Sequence, residues 1–396
     1  MKNGQLQLIW RLGKRRSGPR FAEFFAGIGL VRLGLESRGW NLAYANDFDR
    51  EKRAMYDAHF GDADEHFDLS DIHDVNGAQL PDIELATASF PCTDLSIAGA
   101  RLGFKGKHSS AFWGFISALR SMGSRRPPLV LLENVIGFLT SHNGADFRAA
   151  MKSLNELGYA VDAFVLDARW FVPQSRLRLF VVGSMIPNID EANVMVESRI
   201  RPHVLREFIL NHSDVRWQLR KLPEPPERSE NLLSDILENL PDDAPEWWNC
   251  ERTEYLYNQF SEKHRAMADI MIAKRRWSYA TVFRRVRMQA NGKKRSMGEL
   301  RADGIAGCLR TPKGGSGRQI LFKAGYGRYA SRLITPRECA RLMGADDFVI
   351  SGPDNQAYFG FGDAVCVPAI SWIAEHYLNP VLASVRVGLR RAAAGV

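Results

Sequence analysis

The chain has 396 residues, 45% hydrophobic and 25% charged, which excludes a disordered or fibrous protein and leaves room for two domains. Its five cysteines (Cys92, Cys250, Cys308, Cys339, Cys366) are scattered, without a C-x-x-C pair or a histidine at zinc spacing. That excludes a disulfide framework or zinc knot and points to a reduced, cytoplasmic compartment; the net charge of +8 favours a polyanionic partner, and no apolar run approaches the roughly 18 residues of a membrane helix.

Residues 1–18 carry basic side chains without the apolar stretch of a secretory signal and read as a flexible N-terminal arm. From 19 to 185 short apolar runs alternate with amphipathic ones. The pattern predicts strands over 21–25, 41–46, 84–89, 129–132, 161–166 and 177–182, and helices over 29–38, 111–120 and 145–157. Such alternation implies an α/β fold, a mostly parallel Rossmann-like sheet with helices on both faces. The last two strands have no helix between them, which implies a late hairpin.

The first strand runs into FFAGIG at 24–29. Gly27 and Gly29 permit a tight turn and leave room for a ligand beside the backbone, although a glycine also serves the turn alone. The second strand ends at Asn46-Asp47-Phe48. Asp47, 20 residues after Gly27, is placed to accept hydrogen bonds from ribose hydroxyls, and Phe48 to stack on an adenine. The G-x-G-x-x-G pattern is incomplete, which favours S-adenosylmethionine, with no pyrophosphate to cradle, over a nicotinamide dinucleotide. Asp68 is a further candidate, for the adenine amino group, or an ordinary surface aspartate.

Four short motifs follow. ASFPCTDLSIAG (88–99) presents Cys92 after Pro91, although a lone cysteine after a strand is commonly a core residue. LLENV (131–135) ends a strand with Glu133, and PQSRLRLF (173–180) puts Arg176 and Arg178 on one face of a strand, facing an anion or forming surface ion pairs. After residue 185 the chain is irregular, rich in Pro, Trp and charge, and reads as a separate smaller domain over 186–351. Between 274 and 318 only Glu299 and Asp303 oppose a dense set of cations, including Arg284, Arg285 and Arg287, with Trp277, Tyr279 and Phe283 interleaved. This is a solvated basic face or a phosphate-contacting one. Residues 352–396 return to an apolar helical pattern that rejoins the first domain.

Taken in order, FAGIG, PC, ENV, the Q-x-R-x-R run, RLITPRECARLMG (332–344) and FGDAVCVPAI (361–370) resemble the motif set of the cytosine carbon-5 DNA methyltransferases. The resemblance implies S-adenosylmethionine bound by Phe25, Gly27, Gly29, Asp47, Phe48, Asp68 and Asp363, and a base flipped out of double-stranded DNA. It implies Cys92 as nucleophile, Glu133 on the ring N3 and exocyclic amine, Arg178 on the cytosine carbonyl, and Arg176 orienting the site and Glu133. No metal is implied. Loop 93–110 then closes over the base with Ser96 on a phosphate, 186–351 becomes the target-recognition domain, and Thr311 touches the backbone near the flipped base. The enzyme would act as a monomer, with a cognate restriction endonuclease acting separately. Two positions depart from the family: Asp363 where asparagine is frequent, and Thr93 where glutamine is. A transfer-RNA methyltransferase and a non-catalytic DNA-binding module are the alternatives; the presence of both Cys92 and Glu133 argues against the second.

Overall fold

In the computed structural model the described residues are 18–91, 111–186, 193, 196–288, 292, 294–311 and 317–384. They divide into two compact units. The larger comprises the described residues of Met1–Leu166, Leu177–Pro225 and Ala369–Val396, and the smaller those of Asp167–Arg176 and Pro226–Pro368.

The larger unit is built on a seven-stranded sheet in the order β3-β2-β1-β4-β5-β7-β6. Its strands are β1 (Arg20–Phe24), β2 (Asn41–Asn46), β3 (Phe67–Asp68), β4 (Leu85–Ala88), β5 (Leu129–Val135), β6 (Ala160–Asp167) and β7 (Leu177–Ser184). β1 pairs in parallel with β2 and β4, and β4 with β5, while β7 runs antiparallel to β5. Helices cover the sheet, so the central strands are buried along nearly their whole length, as in β4 and β5. This is why they read as continuous apolar runs rather than alternating ones. Phe24, Phe112, Phe115, Leu132, Phe147 and Val161 belong to the main core, each worth about 1.5–3 kcal/mol of apolar burial. β6 and β7 are neighbours with no α-helix between them; residues 168–176, which open with a 3-10 turn at Ala168–Trp170, join them, in line with the expected late hairpin. β3, two residues long, is too short for any sequence pattern to announce.

The smaller unit corrects the reading of 186–351 as irregular. It holds a four-stranded antiparallel sheet, β11-β10-β8-β9, of β8 (Ser278–Met288), β9 (Lys294–Arg301), β10 (Ile320–Gly325) and β11 (Arg328–Leu333). Ala280, Val282, Leu300, Ile320 and Phe322 pack with Leu256 and Met271 of the helices Cys250–Tyr257 and Glu262–Ala273. The boundaries also move. Residues 186–225 belong to the larger unit, where Leu205, Phe208 and Ile209 of helix His203–Asn211 join the main core, and 352–368 belong to the smaller. One described run, Asp354–Ser384, is long and apolar enough to cross a membrane, and 67% of its apolar window is buried in protein.

Candidate active site

The turn after β1 is backbone-driven. Phe25, Gly27 and Gly29 all have positive φ (58°, 56° and 81°). A phenylalanine held in this region is uncommon and strained by about 1–3 kcal/mol, a cost met mainly at binding sites. The two glycines differ. A Cβ at Gly29 would lie within 3 Å of the Tyr56 and Phe60 rings, so that glycine serves packing at the head of helix Leu30–Glu36. A Cβ at Gly27 would meet only the end of Lys52, at 3.9 Å. The room for a ligand expected at both positions is therefore at Gly27 alone.

Asp47 fastens this turn to the end of β2. Its carboxylate accepts the Gly27 amide at 2.8 Å and the Asp49 amide at 2.9 Å. Burial pushes its carboxyl up, and the Asp49 amide, Lys52 and the Gly27 amide pull it back. A carboxylate offers about four lone-pair sites, so acceptor capacity is left for a ligand's hydroxyls. Phe48 beside it is 69% exposed, a free aromatic face at the same strand end. Asp68 is not an ordinary surface aspartate. Its carboxylate accepts the Tyr44 hydroxyl at 2.7 Å, and its carbonyl accepts the Asn46 amide at 3.1 Å. An open glycine turn, a partly engaged carboxylate and an exposed ring fit a ribose and a flat base.

Beneath the turn lies a residue that was missed. Glu23 on β1 is buried and its Oε2 has no partner among the described residues. Burial pushes its carboxyl from 4.5 up to about 8, against the opposing pull of Arg32 and of the Arg32 and Val31 amides. Arg32 is itself held by Asp62, Tyr56 and Glu36. Between pH 4.5 and about 8 the folded chain holds a proton that the unfolded chain has lost, so stability falls as pH rises, by up to about 1.4 kcal/mol per pH unit. Glu23→Gln should remove that slope. Melting temperatures of the two proteins should converge or cross between pH 5 and 8, and parallel curves would refute the shift.

Glu133 and Arg178 meet at the carboxyl end of β5. The Arg178 Nε lies 3.0 Å from Glu133 Oε1, with both side chains largely buried. The antiparallel β5–β7 pairing sets Glu133 opposite Phe180 and Val135 opposite Arg178, which makes the contact a diagonal one. Glu133 was expected to be oriented by Arg176; its ion pair comes from Arg178. Asn134 is a second residue missed within the ENV motif. Its buried side-chain amide donates to the Phe90 carbonyl at 3.0 Å, tying the end of β5 to the segment that leaves β4. Phe90 is further fixed by the Phe112 and Phe138 rings. Cys92 and Ser96 lie outside the described residues.

Arg176 precedes β7, so it does not share a strand face with Arg178 as expected. It is buried in the smaller unit, where its guanidinium donates to the carbonyls of Leu309 (2.9 Å), Gly362 (3.1 Å) and Ala364 (2.7 Å). A charge taken out of water needs such acceptors. Arg176 thereby joins the FGDAV motif to the segment before Thr311. Gly362 is required there, because a Cβ would lie 2.7 Å from the Arg310 and Thr311 backbone. Thr311 is half-buried, and Asp363 is exposed at the end of helix Asp354–Asp363.

The basic stretch is a β-hairpin whose tip is exposed on both faces. Arg285 and Arg287 share one face and both reach Glu299, at 3.1 and 2.7 Å. Arg287 stands directly opposite Arg295. Like charges so placed destabilise a hairpin, an arrangement that favours an anionic partner. Replacing Arg284, Arg285 and Arg287 with alanine should weaken DNA binding and flatten its dependence on salt by about 0.9 in slope per lost phosphate contact. A titration of affinity against salt with an unchanged slope would remove the hairpin from the interface.

Residues 19–379 match the family described as C-5 cytosine-specific DNA methylase. The type II methyltransferase M.HhaI of Haemophilus parahaemolyticus is 29% identical over 368 residues, which cover 91% of this chain and 94% of that one. The DNA-cytosine methyltransferase of Escherichia coli strain K12 is 26% identical over 407 residues, covering 90% of this chain and 76% of the relative. The crystal structure of the S. pombe Dnmt2 methyltransferase superposes with a TM-score of 0.60 at 18% identity, covering 92% of this chain and 99% of the other, a likeness of fold.

Proposed function

Because this chain belongs to the C-5 cytosine-specific DNA methylase family, we propose that it methylates carbon-5 of a cytosine within a specific DNA sequence, with Cys92 as a covalent nucleophile. The reading rests on the Glu133–Arg178 pair at the end of β5, beside the strand whose end leads through Pro91 to Cys92. S-adenosylmethionine, when bound, supplies the methyl group; Gly27, Asp47, Phe48 and Asp68 would hold it. The Cys92 thiolate adds to carbon-6 of the flipped ring, which makes carbon-5 nucleophilic. Glu133 binds the ring N3 and exocyclic amine as charge develops, and Arg178 turns its guanidinium between Glu133 and the ring carbonyl. Once carbon-5 carries the methyl group, a base removes its proton and the carbon–sulfur bond breaks, returning the thiolate.

The enzyme acts as a monomer in the cytoplasm, and the type II names of its relatives suggest a separate cognate endonuclease. Bisulfite sequencing of DNA from cells expressing the protein tests the whole reading. Conversion-resistant cytosines in one sequence context are expected. Their absence from DNA, or their appearance in RNA instead, would overturn it.

A further inference from the structure

The β8–β9 hairpin carries an apolar pair beyond the point where the core of its sheet ends. Even-numbered residues of β8 share one face. On that face Ala280 and Val282 are buried with residues of helices Cys250–Tyr257 and Glu262–Ala273, and Leu300 stands opposite Val282. The packing stops one pair further on. Gly298 stands opposite Arg284, its amide donates to the Gln259 carbonyl at 3.0 Å, and a Cβ there would lie 2.8 Å from the Phe260 ring. Past that level the same face continues with Val286 opposite Ser296 and Met288 opposite Lys294. Val286 is 60% exposed and Met288 67%. Water alone would favour polar side chains at such positions, as on the other face, where Arg287 stands opposite Arg295.

Charge and width say what meets this pair. Arg284, Arg285, Arg287, Lys294 and Arg295 surround it, and Glu299 is the one acid in the two strands. A second copy of the tip would meet its own charge, whereas a DNA duplex brings about one negative charge per 1.7 Å of its axis. The strands of a ribbon lie about 4.8 Å apart, so with its side chains it fits the major groove, about 12 Å wide, and not the minor groove, about 6 Å. Of the groups that the four bases present in the major groove, only the 5-methyl of thymine is apolar; the others are hydrogen-bond donors and acceptors. An apolar side chain carried into that groove has this one favourable partner. A hydroxyl beside it, as Ser296 supplies, donates to the adjacent thymine O4.

We propose that Val286, with Ser296 opposite it, reads the 5-methyl group of a thymine, so that the sequence this chain methylates contains a T·A pair. The proposal rests on the reading of the chain as a DNA methyltransferase. The test uses the full-length protein and duplexes carrying its methylated sequence, in which each thymine in turn is replaced by deoxyuridine, a change that removes the methyl group alone. At one position affinity should fall about fourfold, the worth of one buried methyl. Val286→Ala should lose affinity for the thymine duplex by a similar factor and should no longer distinguish thymine from uracil at that position. The salt slope should stay the same throughout, because no phosphate contact is lost, and a thermal melt should show the variant folded. A merely structural role for Val286 would leave the uracil penalty intact in the variant. A methylated sequence of G and C alone, affinity that no uracil alters, or a uracil penalty that survives Val286→Ala would each overturn the proposal while leaving methylation intact. If no DNA is methylated at all, the functional reading fails and this proposal with it.

Discussion

Replacing Cys92 with serine is expected to lower methyl transfer by a thousandfold or more, roughly 4 kcal/mol of barrier, while DNA binding persists. A thiol ionises near pH 8.5 and its thiolate is a soft, strong nucleophile; a serine hydroxyl stays protonated and is a far weaker one. The other cysteines do not compete for the role. Burial pushes the Cys339 thiol far above its ordinary range, and Cys366 is buried as well. Cys308 donates to the Leu309 carbonyl, and Cys250 starts an exposed helix remote in sequence from any strand of the large sheet. The measurement is tritium transfer from labelled S-adenosylmethionine, alongside a binding titration. Residual turnover above about one per cent would remove Cys92 from the mechanism. Loss of binding together with activity would point to misfolding, which a thermal melt separates.

The second large effect falls on Glu133. Glu133→Gln keeps the shape of the side chain and removes its charge and its capacity to share a proton. General acid–base assistance is typically worth about 10²–10⁴ in rate. A loss of that order is expected in the single-turnover rate, with DNA affinity little changed. The structure adds a condition. Glu133 is held by Arg178 at 3.0 Å, so the variant also removes the ion pair between them. Arg178→Lys, which keeps the charge but loses the planar fork, should reproduce part of the defect. An unchanged single-turnover rate in Glu133→Gln would end the assignment.

Much of the larger unit was legible because its physics is local. Buried strands need apolar runs, and the six longer strands of its sheet could be placed on that ground. The motif residues at their carboxyl ends, Asp47 and Glu133 among them, stand out as charges that close such runs. The smaller unit hid its sheet for a physical reason. The tip of the β8–β9 hairpin is exposed on both faces, so no period-2 pattern marks it, and arginines occupy positions where a buried strand would show valine or isoleucine. Arg176 and Arg178 were expected on one strand face because alternation was read as one strand, whereas β7 starts at Leu177 and Glu133 is met by Arg178 alone of the two. Glu23 and Asn134 went unnoticed because nothing in a sequence says that a polar side chain points inward.

The path of the chain has a practical consequence. It passes from one unit to the other at 166/167, 176/177, 225/226 and 368/369, so neither is encoded by an unbroken stretch. Exchanging the smaller unit between relatives therefore means transplanting two pieces, the decapeptide 167–176 and the long segment from 226 to 368. A graft cut at 186 and 351 would carry Leu309 from one parent and keep Arg176, Gly362 and Ala364 from the other, splitting a guanidinium from one of the carbonyls that hold it. Chimeras in this family should succeed or fail on whether the decapeptide travels with its partner.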